Sequence, residues 1–380
     1  MLAIGMVRGK SGVHTFEVAK PEIKQPNEVL VRVKEAGVDG TDFNMVKHNL
    51  QDPAEGRNQI ITGHEMVGLV EEVGSEVKSL TPGDTVVMTV RRGCGICQPC
   101  RHNQSDMCMT GLYTERGIHK CDGFFTEFVV DEEQYVVKVP AGLAKLAVFT
   151  EPLSIAEKAI EQIRVIQSRL PWSCEHPEHA FLSENWGGCK TALVVGAGPL
   201  GIMATALLRL AGVDTYVTDI VPEDSPKVHL VKHMGANYID TRDKTPKELV
   251  EQHCAAAGNV DIIFEASGAA DTAVELLNCM SRSSIYVMTG IPRGELIMPL
   301  DVARMVSQIV HYNQVVVGSV NSNRSHFEMA LKSIPAINSR FGGMLEEMIT
   351  HRFKMKDYQQ IFSLDDPRHI KTVLEIEPWE

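Results

Sequence analysis

Apolar and polar residues alternate along much of the first third of the chain. Residues 28–37 (EVLVRVKEAG) and 66–90 (MVGLVEEVGSEVKSLTPGDTVVMTV) follow a two-residue period between glycine, proline and aspartate turns, and residues 126–140 (TEFVVDEEQYVVKVP) continue it. A two-residue period is typical of a strand with one side in a core and the other near solvent. The first 140 residues are therefore predicted to be mostly half-buried antiparallel strands.

The period lengthens after Glu151. Residues 152–169 (PLSIAEKAIEQIRVIQSR) have the helical period, and residues 171–190 (PWSCEHPEHAFLSENWGGCK) form a connecting segment rich in turn formers. Continuous apolar strands then alternate with amphipathic helices as far as QVVVGSV at 314–320. This predicts an α/β fold: a parallel sheet covered by helices on both faces, together with a β-rich domain. A length of 380 residues also favours two domains.

Composition and charge exclude several functional classes. The chain is 44% hydrophobic and 23% charged, with a formal net charge of −12. It has no apolar run near the roughly 20 residues of a membrane helix, and its start lacks the features of a secretory signal. No long basic run is present, so nucleic acid is not an expected partner. We expect a cytoplasmic protein without a membrane partner.

A glycine motif opens the strand–helix alternation. VVGAGPLG at 194–201 contains Gly196, Gly198 and Gly201 in G-x-G-x-x-G spacing, and Asp219 follows at the end of the next strand. These glycines permit a tight turn, a close approach of backbone to pyrophosphate, and packing of helix on strand. A bare tight turn is the alternative. The predicted cofactor-binding residues in this part of the chain are Gly196, Gly198, Pro199, Leu200, Gly201, Asp219, Ser267 and Gly290.

Asp219 bears on the choice of dinucleotide. A carboxylate accepts hydrogen bonds from ribose hydroxyls and repels a 2′-phosphate, which favours NAD. Lys227 lies close enough in sequence to keep NADP as an alternative. Asp219 would have no such role if it merely ended a strand.

Four cysteines occupy fifteen positions from 94 to 108. Cys94, Cys97, Cys100 and Cys108 have the spacing C-x₂-C-x₂-C-x₇-C, which lets one loop surround a tetrahedral ion. An iron–sulfur cluster is the alternative, but the usual ferredoxin spacing is absent. Four thiolates leave zinc no open position, so the predicted zinc is structural. The other cysteines are expected to be free thiols: Cys121, Cys174, Cys189, Cys254 and Cys279.

Several motifs together resemble the zinc-dependent medium-chain alcohol dehydrogenases. TGHEMVG, PGDTVV, the four-cysteine loop, EPLSIAEKAI and VVGAGPLG occur in that family's order and spacing. TERG, GFFTEFVVDEEQYVVKVP and VGSVNSNRSHFE further resemble its archaeal-type glucose dehydrogenase branch. The resemblance implies a GroES-like catalytic domain from residues 1–151 and 320–380. It implies that residues 152–319 hold a helix, the connecting insertion and a Rossmann domain.

The resemblance also implies a second, catalytic zinc. Its ligands would be Asp39, His64 and Glu151, with Glu65 as a nearby ligand that exchanges with water or substrate. Position 39 is cysteine in most of the superfamily. Aspartate still binds zinc, although an all-nitrogen and oxygen site also suits manganese or cobalt.

The remaining site residues come from the same resemblance. Thr41 would relay a proton and contact the substrate, and Glu151 would also contact the substrate. Glu115 and Asn321 match positions that contact sugar hydroxyls or lie beside the nicotinamide. The implied enzyme is an aldose 1-dehydrogenase acting on glucose or a close relative.

Two other functions stay open, a polyol dehydrogenase and a cofactor-binding protein without catalysis. The apolar strand QVVVGSV is expected at a sheet edge, which predicts a homodimer or homotetramer.

Overall fold

The alternating segments form antiparallel strands in the computed structural model, which describes residues 1–171, 173–180, 182–243, 248, 260–292 and 294–379. Two compact units divide the chain. The first comprises Met1–Ser154, Asn321–Pro335 and Leu345–Glu380, and the second comprises Ile155–Val320 and Ala336–Met344. Cys254 lies outside the described residues.

Antiparallel strands dominate the first unit. Numbered in chain order, its strands are β1 (Leu2–Val7), β2 (His14–Glu17), β3 (Glu28–Val38), β4 (Gln59–Ile61), β5 (Glu65–Val73), β6 (Thr85–Met88), β7 (Arg91–Arg92), β8 (Thr114–Arg116), β9 (Lys120–Cys121), β10 (Phe128–Glu132), β11 (Val136–Lys138), β18 (Ile349–Lys354) and β19 (Lys371–Glu375). The largest sheet has the order β11-β6-β5-β3-β19-β18, and β10 also pairs with β3. Smaller sheets have the orders β2-β1-β4 and β7-β8-β9.

The long strand β3 organises this unit. It pairs antiparallel with β5, β10 and β19, and its alternate residues Val29, Val31 and Val33 are fully buried in one core cluster with Phe124. Branched side chains suit such a pleated, packed surface. Because β3 and β5 run in opposite directions, the end of β3 lies beside the start of β5.

The second unit contains a parallel sheet. Its strands are β12 (Thr191–Val195), β13 (Asp214–Asp219), β14 (Asn237–Asp240), β15 (Ile262–Glu265), β16 (Ile285–Met288) and β17 (Val315–Gly318). Among the described residues their order is β14-β13-β12-β15-β16-β17, the order of a dinucleotide-binding doubly wound sheet. The predicted fold class is confirmed. Strand β14 was not predicted, because its short NYID sequence has little periodicity.

Helices connect the strands of both units. They are α1 (Gly40–His48), α2 (Gln98–Arg101), α3 (Thr150–Gln167), α4 (Pro199–Leu210), α5 (Pro226–His233), α6 (Ala270–Glu275), α7 (Val302–His311), α8 (Arg324–Arg340), α9 (Met344–Met348) and α10 (Tyr358–Phe362). No helix in the described part of the chain is long and apolar enough to cross a bilayer.

Candidate active site

An aspartate, a histidine and a glutamate meet at one edge of the main sheet in the first unit. Asp39 follows the last residue of β3, His64 precedes the first residue of β5, and Gly37 pairs with Glu65 across the two strands. The potential ligand atoms of Asp39, His64 and Glu65 all lie within 4.8 Å of one another. Strand pairing therefore assembles three of the four residues predicted to hold the catalytic metal.

The start of α1 orients Asp39. Its Oδ1 accepts hydrogen bonds from the backbone amides of Thr41 (2.7 Å) and Asp42 (3.1 Å), as an N-terminal helix cap does. Its Oδ2 accepts from Thr41 Oγ1 at 3.2 Å and lies 3.5 Å from His64 Nε2. One carboxylate oxygen thus holds the helix, while the other faces His64.

Glu65 is packed against the backbone and paired with a buried lysine. A Cβ at Gly37 would lie 1.7 Å from Glu65 Oε2, so a glycine is needed there. Lys371 Nζ, from β19, lies 2.6 Å from Glu65 Oε1 and 2.5 Å from Oε2. Glu65 is 0% exposed and Lys371 1%. Sequence reasoning missed Lys371, which is a single charged residue at the start of an apolar strand.

Glu151 lies at the start of α3 and is buried. It is not in the group of ligand atoms within 4.8 Å, although the charges of His64, Glu65 and Asp39 affect its pKa. The structure therefore places the fourth predicted ligand near the cluster but outside that group.

Burial and mutual charge perturb every acid in this region. Burial raises the pKa of Glu151 to about 8 and that of Asp42 to about 7. Burial also raises the pKa of Glu65, against the lowering effect of Lys371. Burial disfavours charge on His64 and Asp39 too, but their attraction raises the pKa of His64 and lowers that of Asp39. A buried group of this kind is expected at a functional site.

This donor set fits a divalent metal ion. One imidazole and several carboxylates are ligands that zinc accepts in catalytic sites. Nδ1 of His64 and Oδ1 of Asp42 are buried without a hydrogen-bond partner and lie 3.9 Å apart. A carboxylate facing the far nitrogen of a histidine is the usual neighbour of a metal-bound imidazole.

Glu115 and Asn321 form a separate hydrogen-bonded group in the same unit. Glu115 Oε1 accepts from Asn321 Nδ2 at 2.7 Å, and from Arg91 at Nε (3.0 Å) and Nη2 (2.9 Å). Arg91 Nη1 also donates to the carbonyl oxygen of Asp106 at 2.7 Å. The two predicted substrate residues are thus hydrogen-bonded directly to each other, and Arg91, which sequence reasoning missed, donates to the same oxygen of Glu115.

The four cysteines of the 94–108 loop converge on one point. Their sulfur atoms lie within 4.8 Å of one another, and Cys94 Sγ is 3.9 Å from Cys100 Sγ. A tetrahedral zinc with thiolates at 2.3 Å implies sulfur–sulfur distances of about 3.8 Å. The loop geometry therefore fits a closed zinc site.

In the second unit the glycine motif forms the turn between β12 and α4. Gly196 has φ 103°, and a Cβ at Gly201 would lie 1.9 Å from the carbonyl oxygen of Gly196. Gly198 caps α4, and Pro199 and Leu200 form its first residues. Asp219 accepts from the backbone amides of Ala197 (2.5 Å, Oδ2) and Ile220 (2.6 Å, Oδ1).

Ser267 and Gly290 reach the same sheet edge. A Cβ at Gly196 would lie 3.1 Å from the Ser267 backbone nitrogen. Glu265 joins both residues, because its Oε1 accepts from the Ser267 amide (2.7 Å) and its backbone oxygen accepts from the Gly290 amide (3.2 Å). The predicted cofactor residues of this unit therefore lie together at the carboxyl ends of its central strands, where nucleotides bind in such sheets.

Two family models together match most of the chain. Residues 25–141 match the alcohol dehydrogenase GroES-like domain. Residues 144–376 match the glucose dehydrogenase C-terminus.

Individual relatives are similar over nearly their whole length. A glucose 1-dehydrogenase of Methanocella arvoryzae is 33% identical, over 97% of this chain and 97% of its own. Glucose 1-dehydrogenase 2 of Vulcanisaeta moutnovskia is 36% identical, over 99% of both chains. The glucose dehydrogenase of Haloferax mediterranei, solved in complex with NADP, zinc and gluconolactone, is 30% identical, with a TM-score of 0.87 and 100% of both chains covered.

Proposed function

Because this chain belongs to the glucose dehydrogenase family of zinc-dependent medium-chain dehydrogenases, we propose that it oxidises C1 of an aldose, glucose or a close relative. The hydride passes to NAD or NADP, and the product is an aldonolactone. The observation that carries this proposal is the convergence of Asp39, His64 and Glu65 within 4.8 Å. The gluconolactone in the Haloferax mediterranei structure supports the sugar substrate.

Asp39, His64 and Glu151 would hold the catalytic zinc, with Glu65 as a ligand that exchanges. The ion would act as a Lewis acid that lowers the pKa of the substrate hydroxyl. Lys371 lowers the pKa of the fully buried Glu65 against the raising effect of burial, and both carboxylate oxygens lie within 2.6 Å of its Nζ.

Thr41 would move the proton. Its Oγ1 donates to Asp39 Oδ2 at 3.2 Å, and its side chain is partly exposed, whereas His64 and Glu65 are buried. A hydroxyl both donates and accepts, so Thr41 can take the C1 hydroxyl proton and release another toward water. The backbone of α1 fixes Thr41, because its amide donates to Asp39 Oδ1.

Glu115 and Asn321 would orient the sugar. Arg91 and Asn321 both donate to Glu115 Oε1, so Oε2 keeps its accepting capacity for a sugar hydroxyl. A carboxylate held by a guanidinium and an amide suits a polyhydroxylated molecule better than an alkyl alcohol.

The nucleotide would bind at the glycine turn of the second unit. The amino end of α4 and the tight Gly196–Gly201 approach suit a pyrophosphate. Asp219 carries the NAD preference, because its carboxylate ends β13 and would face a 2′-phosphate with like charge. The relative from Haloferax mediterranei was solved with NADP, so both coenzymes belong in the test.

A homodimer or homotetramer is proposed from the edge of the parallel sheet. Among the described strands β17 ends one side of the sheet, and Val316 on it is 40% exposed. Val302, Val306 and Val310 make one exposed apolar row along α7, at helical spacing. Pairing of two such edges would cover both features. Sedimentation at the mass of a 41.9 kDa monomer would contradict it.

The test is a panel of aldoses, polyols and simple alcohols, each with NAD and with NADP, followed by absorbance of the reduced coenzyme. Oxidation of aldoses with lactone as product supports the proposal. Activity confined to polyols would favour the second function. His64→Ala is the control, and it should lose one zinc per chain and nearly all turnover while still binding coenzyme. A chain that binds coenzyme, oxidises nothing and keeps its metal content in His64→Ala would be a non-catalytic binding protein.

A further inference from the structure

A second cluster of cysteines and histidines lies in the connecting segment between α3 and β12. Cys174, His176, His179 and Cys189 have the spacing C-x-H-x₂-H-x₉-C. Their potential ligand atoms lie within 4.8 Å of one another. All four belong to the second unit, and none takes part in the coenzyme or active site described above.

The contacts in this cluster centre on Cys174. Its sulfur lies 3.1 Å from Nδ1 of His176 and 3.2 Å from Nδ1 of His179, and Cys189 Sγ lies 3.4 Å from Nδ1 of His176. A tetrahedral zinc with sulfur ligands at 2.3 Å and nitrogen ligands near 2.05 Å implies sulfur–nitrogen distances of about 3.6 Å. These three distances would lengthen by only a few tenths of an ångström around such an ion.

The backbone is shaped to bring the four side chains together. His176 caps the 3₁₀ turn Pro177–His179 and His179 is its last residue, so the two rings lie close together, with centroids 5.0 Å apart. A Cβ at Gly188 would lie 2.2 Å from Nε2 of His179. A glycine at this position therefore lets the backbone that precedes Cys189 pass close to the His179 ring.

The same segment is attached to the body of the second unit. The Gly187 amide donates to the carbonyl oxygen of Ala211 at 2.9 Å, and Trp186 is buried with the Arg164 guanidinium over its ring. The carbonyl oxygen of Lys190 accepts a hydrogen bond from the amide of Asp214, at the start of β13. Cys189 is therefore anchored at the sheet, whereas Cys174 and the 3₁₀ turn carry the mostly exposed remainder of the segment.

From this geometry we infer that Cys174, His176, His179 and Cys189 form a zinc site of the Cys₂His₂ class, which ties the connecting segment to the parallel sheet. Four protein ligands leave no open position, so the site is structural. Binding requires thiolates and neutral imidazoles, so the two cysteine thiols release their protons when the ion enters. A disulfide between the two cysteines would not need two imidazoles facing the same sulfur. The wide spacing of these cysteines predicts free thiols, and only the fold brings the two histidines to them.

The first experiment counts metal. The full chain, without any histidine tag, is dialysed against metal-depleted buffer, and zinc per chain is measured by mass spectrometry. Cys174→Ser combined with His176→Ala should contain one zinc fewer than the parent chain. Cys279→Ser, which removes a thiol elsewhere in the same unit, should lose none. An equal zinc content in the parent and the double variant would overturn the inference, whatever the occupancy of the other sites.

The second experiment tests the ligands without relying on the amount of zinc retained in purification. The metal-free chain is refilled with Co²⁺ alone, and the thiolate-to-cobalt charge-transfer absorbance is recorded. Six thiolates in two sites are expected, so removing Cys174 and Cys189 together should lower that absorbance by about one third. His176 is exposed, so the single variant His176→Ala should keep the fold intact. It should nevertheless weaken cobalt binding at this site. An unchanged cobalt spectrum, or a Cys174–Cys189 disulfide found under non-reducing mass spectrometry, would contradict the inference.

Activity separates this site from the active site. The variants of Cys174, His176 and Cys189 should keep aldose oxidation at moderate temperature and lose it sooner on heating. Loss of turnover at moderate temperature in correctly folded variants would show a role other than the structural one inferred here.

Discussion

Replacing Lys371 by methionine should destabilise the first unit strongly. Lys371 and Glu65 are 1% and 0% exposed, and Nζ lies 2.6 and 2.5 Å from the two carboxylate oxygens. Methionine nearly matches the volume of lysine but leaves the carboxylate buried without its cation. Removing one partner of a buried ion pair costs about 3–5 kcal/mol. We expect a loss of that size in the free energy of unfolding of the metal-free chain at pH 7.

The assay is urea unfolding of metal-free chains in a double-mutant cycle. Lys371→Met with Glu65→Gln removes both charges and should recover most of the stability lost in Lys371→Met. Lys232→Met is the matched control, because Lys232 and Glu223 are 2.8 Å apart but 50% and 65% exposed. An exposed pair of this kind contributes at most about 1 kcal/mol.

The effect should also depend on pH. Lys371 lowers the pKa of Glu65 against the raising effect of burial, so removing it raises that pKa further above the unfolded value. A carboxyl group whose pKa is higher in the native than in the unfolded state favours the native state at low pH. That contribution to the free energy of unfolding is complete below the unfolded pKa and is lost as pH rises through the native pKa. The deficit of Lys371→Met should therefore be smaller near about pH 5 than at pH 7. Equal losses in the single and double variants, or a deficit that grows on acidification, would refute the reasoning.

Three further predictions concern the metal and coenzyme sites. Asp39→Ala should lose the catalytic zinc and nearly all turnover, while Asp39→Cys keeps the ion. Asp39→Asn preserves the cap of α1 and is the control for loss of that cap. Full zinc content and activity in Asp39→Ala would remove Asp39 from the ligand set. Asp219→Ala should raise the ratio of NADP to NAD activity by weakening NAD and relieving repulsion of the 2′-phosphate, and unchanged Kd values for both coenzymes would contradict it. Cys100→Ser should lose one zinc and melt at a lower temperature before kcat changes; unchanged melting with reduced turnover would argue against a structural role.

The sequence alone determined those features whose partners are close along the chain. Periodicity and backbone geometry over a few residues are visible in the sequence itself. They determine strands β3 and β5, helix α3, and the turn of Gly196, Gly198 and Gly201. The four-cysteine loop belongs here as well, because a loop of fifteen residues can surround an ion by itself. The order and spacing of such motifs were enough to indicate the family.

Only the tertiary structure decided which distant side chains meet. Asp39 and His64 come together through the antiparallel pairing of β3 and β5, Asn321 reaches Glu115 across 206 residues, and Lys371 reaches Glu65 across 306. No local pattern marks Lys371, because its partner is selected by the sheet that buries both residues. Long-range contacts follow from how strands pair to remove apolar surface from water, and that outcome depends on the whole chain at once.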